Sequence, residues 1–353
     1  MIDFYRDKGI IADIAVSCSS KENSRLHIKG LAGSAPALVA ASVFVDKEPL
    51  LLIVLSDKEE AAYFFNDLEN LLNEQDIPFH RKKVLFFPTT YRRPYELEKT
   101  DNTNVLSRTE VMKRLGTREG GTIVVTYPEA LAEKVITRAF LKKNTLRLGV
   151  KESLSIDFVI DLLMEYNFVV EPGQFSIRGG IVDVFSFTND RPYRIEFFGD
   201  DVESIRTFDP SSQLSIDRLN HITITPNVQD RTLHEKRQSF LQYVDQSTTV
   251  WLRDFTFAID KIDKEFEKAK KAFSELSSDI KHIAPDELFT TPEEFRKDIL
   301  DHGIIEFGTR CLMKESRELN FNMQPQPSFN KNFDLVLQNL DDNSKAGIRN
   351  IIL

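Results

Sequence analysis

The segment Gly30–Ala37 reads GLAGSAPA and lies between a short strand-like run, Arg25–Ile28, and an Ala-rich helical run, Leu38–Val45. A phosphate-binding loop would occupy that position. Such a loop has the form G-x-x-x-x-G-K-[ST]: glycines let backbone N–H groups wrap the phosphates, lysine neutralises them, and the hydroxyl holds magnesium. Gly30 and Gly33 remain here, followed by Ser34; Ala35 takes the place of the later glycine, Pro36 of the lysine and Ala37 of the hydroxyl residue. Proline brings neither charge nor N–H. What is left is the weak attraction of a helix N-terminus for an anion. Phosphoryl transfer without the lysine and the magnesium ligand loses its main electrostatic stabilisation. Taken alone, the segment reads first as a strand–helix turn with a proline cap, and second as a phosphate loop stripped of its chemistry.

A second group of polar residues lies on Phe175–Phe187 and Tyr193–Phe198, which read as antiparallel strands. Alternation puts Phe175 and Ile177 on one side and Ser176 and Arg178 on the other. In the later run, Tyr193, Ile195 and Phe197 alternate with Arg194, Glu196 and Phe198. If the strands pair, Arg178, Arg194 and Glu196 share an outer face. Arginine suits interfaces because its planar fork bonds carboxylates bidentately. The competing reading is a solvated sheet face with cross-strand ion pairs of small net value. Gly179-Gly180 is expected to form a bulge, since the apolar phase shifts after it to Val182 and Val184. In Phe87–Thr100, Tyr91 and Tyr95 flank Arg92 and Arg93, a composition that suits nucleic acid but fits a surface loop more simply.

Bulk properties narrow the classes. The chain has 353 residues, too many for one ordinary domain, so two or three are expected. Apolar residues make up 41% and charged residues 29%, ordinary for a globular protein. No apolar run is long enough for a membrane span, and the start has no signal-peptide pattern. Cys18 and Cys311 are far apart and no histidine pairs with a cysteine at metal spacing, which argues against a disulfide framework and a zinc site and fits a reducing cytoplasm. A net charge of −9 favours a protein partner over tight sequence-independent DNA binding.

These residues must be positioned by an alternating pattern. Pro49–Leu55, Val84–Phe87 and Thr122–Thr126 read as buried parallel strands. Asp57 is placed to cap a helix with Tyr63, Phe64, Leu68, Leu71 and Leu72 on one face, and Arg108–Leu115 continues a helix ending at Gly116. This order predicts an α/β parallel sheet covered by helices on both faces. After about Leu131 the pattern changes to a compact α+β block, opened by a helix capped by Ser155. From Asp209 the chain is expected to return to the first domain, with a strand at Thr248–Leu252, a long helix carrying Ile259, Ile262, Phe266, Ala269, Phe273 and Leu276, and a capping box at Thr291–Glu294. The final RNIIL reads as the opening of a strand, so a fragment of a longer protein is expected.

Three segments in order, Phe175–Phe185 (FSIRGGIVDVF), Arg194–Phe198 (RIEFF) and Val202–Pro210 (VESIRTFDP), resemble UvrB, and more closely the UvrB-homology module of bacterial transcription-repair coupling factors. The resemblance is strongest over Thr122–Gln213, and Met323–Phe333 is similar to the end of that module. It implies an α/β fold: a degenerate P-loop NTPase (RecA/helicase-like) parallel-sheet domain formed by 1–133 and 209–324, an inserted smaller α+β domain at 134–208, and the start of a further domain at 325–353. It places GLAGSAPA on the phosphate loop, and Arg253-Asp254 where UvrB has the Asp-Glu pair that handles magnesium and water. A cation there repels magnesium. The implied module therefore has no catalytic residue, no cofactor and no metal. UvrB's long tyrosine-rich hairpin, which inserts into DNA, is matched by the shorter Phe87–Thr100.

The inserted domain is implied to bind UvrA through Phe175, Arg178, Arg194 and Glu196. One departure is the link Tyr166–Val170, around Phe168, which lacks an arginine that related proteins carry. The function implied is non-catalytic recruitment of UvrA to stalled RNA polymerase for nucleotide-excision repair, in a cytoplasmic protein with no membrane attachment. A C-terminal DNA-translocating motor of the full-length protein would engage RNA polymerase and duplex DNA. The alternatives are an active UvrB-like or helicase-like DNA-dependent ATPase, and a mainly DNA-binding module with steep salt dependence.

Overall fold

A computed structural model describes residues 2, 9–19, 24–91, 94–95, 102–117, 121–165, 175–186, 191–225, 236–276, 282–308, 311, 313, 316–323, 325 and 327–348. The first stretch alternates helix and strand: α1 (Gly9–Ser19), β1 (Arg25–Lys29), α2 (Ala35–Lys47), β2 (Leu50–Val54), α3 (Lys58–Leu71), β3 (Val84–Phe86), α4 (Asn102–Thr117), β4 (Thr122–Thr126), α5 (Pro128–Ala132), β5 (Val135–Ile136) and α6 (Arg138–Lys143). A block of strands with one longer helix follows: β6 (Leu146–Gly149), α7 (Ile156–Glu165), β7 (Phe175–Arg178), β8 (Ile181–Val184), β9 (Tyr193–Phe198), β10 (Asp201–Phe208), β11 (Ser215–Leu219) and β12 (His221–Ile224). The alternation then resumes with β13 (Arg237–Gln238), α8 (Phe240–Tyr243), β14 (Thr249–Leu252), α9 (Phe255–Ser274), α10 (Pro285–Leu288), α11 (Pro292–Ile299), β15 (Gly303–Phe307), β16 (Arg317–Asn320) and α12 (Phe333–Lys345).

β2 (LLLIV), β4 (TIVVT) and β14 (TVWL) are almost wholly buried, as strands covered on both faces must be. They lie inside a seven-stranded sheet of order β16-β1-β15-β14-β2-β4-β3, in which every neighbouring pair is parallel. Local signals set the helices. The Asp57 side chain accepts from Glu60 N at 2.9 Å and starts α3. Thr291 and Glu294 close both bonds of the expected capping box, with Pro292 in the first turn of α11. The α3 stripe differs from its expectation in one residue: Ala61, Phe64 and Leu68 are buried, whereas Tyr63 is 67% exposed.

A five-stranded antiparallel sheet, β11-β10-β9-β8-β7, forms the second body, accompanied by the β6/β12 pair and α7. Its core is separate, built from Leu148, Val159, Leu163, Phe175, Val182, Val184, Ile195, Phe197, Val202, Ile205, Ile222 and Ile224. Val135, Ile136, Phe140 and Leu141 belong instead to the parallel-sheet core. Compared with the expected insertion limits, 134–208, this core both starts and ends further toward the C-terminus. The second core begins at β6 and ends at β12, because β11 pairs with β10 and β12 with β6. α12 buries none of its side chains, and Phe333 stays 81% exposed. Tyr166–Val170, Arg92 and Arg93 lie outside the described residues.

Candidate functional site: the outer sheet face and the glycine turn

β7 and β8 are not one strand with a bulge, as the phase shift suggested. They are a hairpin turning on Gly179-Gly180, with Arg178 opposite Ile181. Gly179 has φ +59°, and a Cβ on Gly180 would meet Phe197 O at 2.7 Å, so each glycine has its own reason. The hairpin inserts β8 between the two strands that carry the expected arginines.

That placement makes Asp183 of β8 the centre of the face. It stands opposite Ser176 on one side and Arg194 on the other. Arg194 grips it through Nε–H to Oδ1 at 2.7 Å and a terminal N–H to Oδ2 at 2.8 Å, while Arg178 donates to Oδ2 at 2.5 Å. The side chains of Asp183 and Arg194 are 8% and 13% exposed, whereas Arg178 is 59% exposed. Asp183 thus fixes one arginine and presents the other. Donating to the Asp183 carboxylate holds the Arg194 guanidinium above its ordinary pKa range.

The turn after β10 closes over the same place. Gln213 Oε1 accepts from Arg194 at 2.7 Å and from Arg178 at 3.4 Å, and the Arg194 guanidinium lies 4.1 Å over the Phe208 ring. Glu196 joins a neighbouring pair: it takes the Ser204 hydroxyl at 2.5 Å and a close ion pair from Arg206. The fold therefore brings Arg178, Arg194 and Glu196 onto one face, through partners the sequence reading did not name.

Asp183 was detectable. With Val182 and Val184 inward, the carboxylate between them has to share a face with Arg178 and Arg194. Gln213 and Arg206 had no such signal. Phe175 requires correction. It is 2% exposed and packs in the second core, so its side chain supports the sheet from behind and is not on the surface with Arg178.

The GLAGSAPA turn joins β1 to α2. Ser34 occupies the N-cap position without a side-chain cap bond, and Pro36 and Ala37 are buried in the first turn. Gly30 has φ +75°, and a Cβ there would meet Asn320 Oδ1 at 2.6 Å and Asn322 N at 2.9 Å. The segment after β16 lies on the turn: Phe321 N donates to Lys29 O at 3.0 Å and Met323 N to Gly30 O at 2.8 Å. Lys29, the lysine next to the turn, is paired with Glu318 at 2.5 Å and holds that carboxyl below its usual range. At the end of β14, Arg253 forms an ion pair with Glu60 of α3, and Asp254 accepts from Phe257 N at 2.8 Å as the N-cap of α9. In this arrangement the two side chains make an ion pair and a helix cap.

The segment after β3 turns its tyrosines inward, contrary to the surface loop expected. Tyr91 is 8% exposed and packs edge-on against Phe289 at 5.5 Å; Tyr95 donates to Ile283 O at 2.8 Å and lies 5.7 Å from Phe273. Arg108, fully buried, anchors the root. It donates to Pro88 O, Ala130 O and Glu133 O at 2.9, 3.0 and 3.2 Å, and stacks 4.0 Å over Phe87. Burial lowers its pKa, and the Glu133 carboxylate opposes that shift.

Residues 146–229 match the family model of the UvrB interaction domain. Those limits bracket the second core. Among curated proteins, the chain is similar to the transcription-repair-coupling factor of Myxococcus xanthus, 31% identical over 58% of this chain and 18% of that protein. The corresponding factor of Bacillus subtilis is 26% identical over 68% of this chain and 20% of its own length. That of Escherichia coli is 23% identical over 56% and 17% respectively. The matched part spans about a fifth of the length of these relatives. The motif order, the two-body α/β architecture and these matches agree: over about half its length the chain is similar to transcription-repair-coupling factors, and its residues 146–229 match the UvrB interaction domain.

Proposed function

We propose that this module recruits UvrA and performs no chemistry of its own. The observation that carries the reading is the Arg178–Asp183–Arg194 cluster. It offers an exposed guanidinium, held in place by a buried carboxylate, on the outer face of the matched interaction domain. Among the described residues Arg178 donates only through one terminal nitrogen, so it is oriented for a partner's carboxylate with less side-chain freedom to lose on binding. Arg194 and Glu196 shape the surface around it. Binding of purified UvrA to the chain tests this: Arg178→Ala and Glu196→Ala are expected to weaken it at least about tenfold, with unchanged circular dichroism. Wild-type binding by both variants rejects the face.

The absence of catalysis belongs to the same proposal. The GLAGSAPA turn provides no ammonium group, Asp254 caps a helix, and Arg253 puts a cation where magnesium would have to sit. The seven-stranded parallel sheet with a glycine turn leading into a helix is what favours the other reading, a UvrB-like or helicase-like DNA-dependent ATPase. An ATPase assay with DNA separates the two. Turnover that disappears when the Gly30–Ala37 turn is altered establishes the ATPase. RNA polymerase and duplex DNA as partners of a longer protein with a translocating motor, and a cytoplasmic location, complete the proposal. Among the described residues no helix is long and apolar enough to cross a membrane.

A further inference from the structure

We infer that the docking face continues to the β11 edge of the sheet, where Arg206 and Arg218 receive an acidic segment of the partner. This rests on the recruitment reading and extends it to residues outside that reading's contact set. Arg194, Arg206 and Arg218 stand in register across β9, β10 and β11. Like charges directly opposite one another on neighbouring strands destabilise a sheet. Two of the three are compensated: Asp183 holds Arg194 and Glu196 holds Arg206. Arg218 is exposed, and among the described residues it has neither an ion pair nor a hydrogen-bonded side-chain partner.

The neighbouring acids are already engaged or distant. Asp217 is bonded to Thr207 and lies 3.6 Å from Arg191, on the other side of the strand by alternation. Asp200, Asp201 and Glu203 lie toward the β9–β10 turn, away from the Arg206–Arg218 row. Among the described residues, the buried Nε of Arg206 has no hydrogen-bond partner. Four guanidinium groups, Arg178, Arg194, Arg206 and Arg218, therefore face two carboxylates among the described residues, Asp183 and Glu196, on a chain whose net charge is −9. Beside Arg218, Leu214 is 68% and Ile216 43% exposed. Local positive excess next to bare aliphatic side chains fits a partner segment that carries carboxylates beside an apolar residue.

The test measures affinity of purified UvrA for the full chain by titration calorimetry. Arg218→Glu is expected to weaken binding about tenfold, and Arg218→Lys less than about threefold, since lysine keeps the charge and loses the fork. Arg147→Glu, which makes the same charge change on β6 outside the five-stranded sheet, is expected to stay within about twofold. If Arg218→Glu binds like wild type while Arg178→Ala does not, the extension to β11 is wrong and the recruitment reading stands. Equal losses for Arg147→Glu and Arg218→Glu indicate net charge and also overturn it. Failure of the wild-type chain to bind UvrA removes both.

Discussion

Replacing Asp183 by asparagine removes the charge that two guanidinium groups share while keeping the side chain's volume. The Arg194 pair dominates the cost. Its side chains are 13% and 8% exposed and joined at 2.7 and 2.8 Å. Hydrogen bonds to charged groups contribute roughly 1.5–3 kcal/mol, and breaking a fully buried pair costs about 3–5 kcal/mol. Arg194 would retain Gln213 and the Phe208 ring, which places the loss near the lower figure, about 2–3 kcal/mol. Arg178 is 59% exposed, so its share of the pairing is about 0–1 kcal/mol.

Asp183→Asn and Arg194→Ala are thus expected to destabilise the inserted domain by about 2–3 kcal/mol, and Arg178→Ala by less than about 1 kcal/mol. Urea unfolding distinguishes the two bodies. Trp251, the chain's one tryptophan, is buried in the parallel-sheet core, so its fluorescence follows that body, while far-ultraviolet circular dichroism follows both. Asp183→Asn should shift the dichroism transition to lower urea ahead of the fluorescence transition. An unshifted midpoint, or equal losses for Arg178→Ala and Arg194→Ala, would show that Asp183 does not organise the face.

Three other outcomes follow from named contacts. Arg108→Met leaves Glu133 without its buried cation and three carbonyls without a donor, so tryptophan-monitored urea unfolding should show a loss of about 3–5 kcal/mol. Thr291→Ala removes the capping box of α11 and should cost about 1 kcal/mol in the same assay, with no change in partner binding. Burial holds His302 below its ordinary pKa of 6.5, so the unfolded chain takes up its proton first as pH falls. His302 therefore adds no pH dependence well above about pH 6.5 and lowers stability below it. His302→Gln should flatten the acid side of a plot of urea midpoint against pH, and an unchanged acid slope would contradict this.

Much of the parallel-sheet body was legible because its signals are local. Unbroken apolar runs such as LLLIV and TIVVT have no polar side to expose, and capping residues act on N–H groups three positions away. The alternation of β9 also held: Ile195 and Phe197 are inside, Arg194 and Glu196 outside. Where the reading failed, long-range pairing decided. Phe175 was expected among the binding residues although its phase set it opposite Arg178, and its burial in the core with Val182 and Ile195 puts it on the inner side. Tyr91 and Tyr95 looked like surface residues until α9 and α10 provided an apolar bed for them.

By itself the sequence determined the chemical inventory and the local grammar: no lysine in the GLAGSAPA turn, an arginine before Asp254, and arginines in strands of clear phase. Those depend only on residue identity and on periodicity within one element. The tertiary structure decided which charges meet. Asp183 serves Arg178 and Arg194, Gln213 reaches back over both from the following turn, and Arg218 is left facing Arg206. Strand order and register, set by packing of a shared core, bring those side chains together across stretches of chain whose lengths give no hint of it.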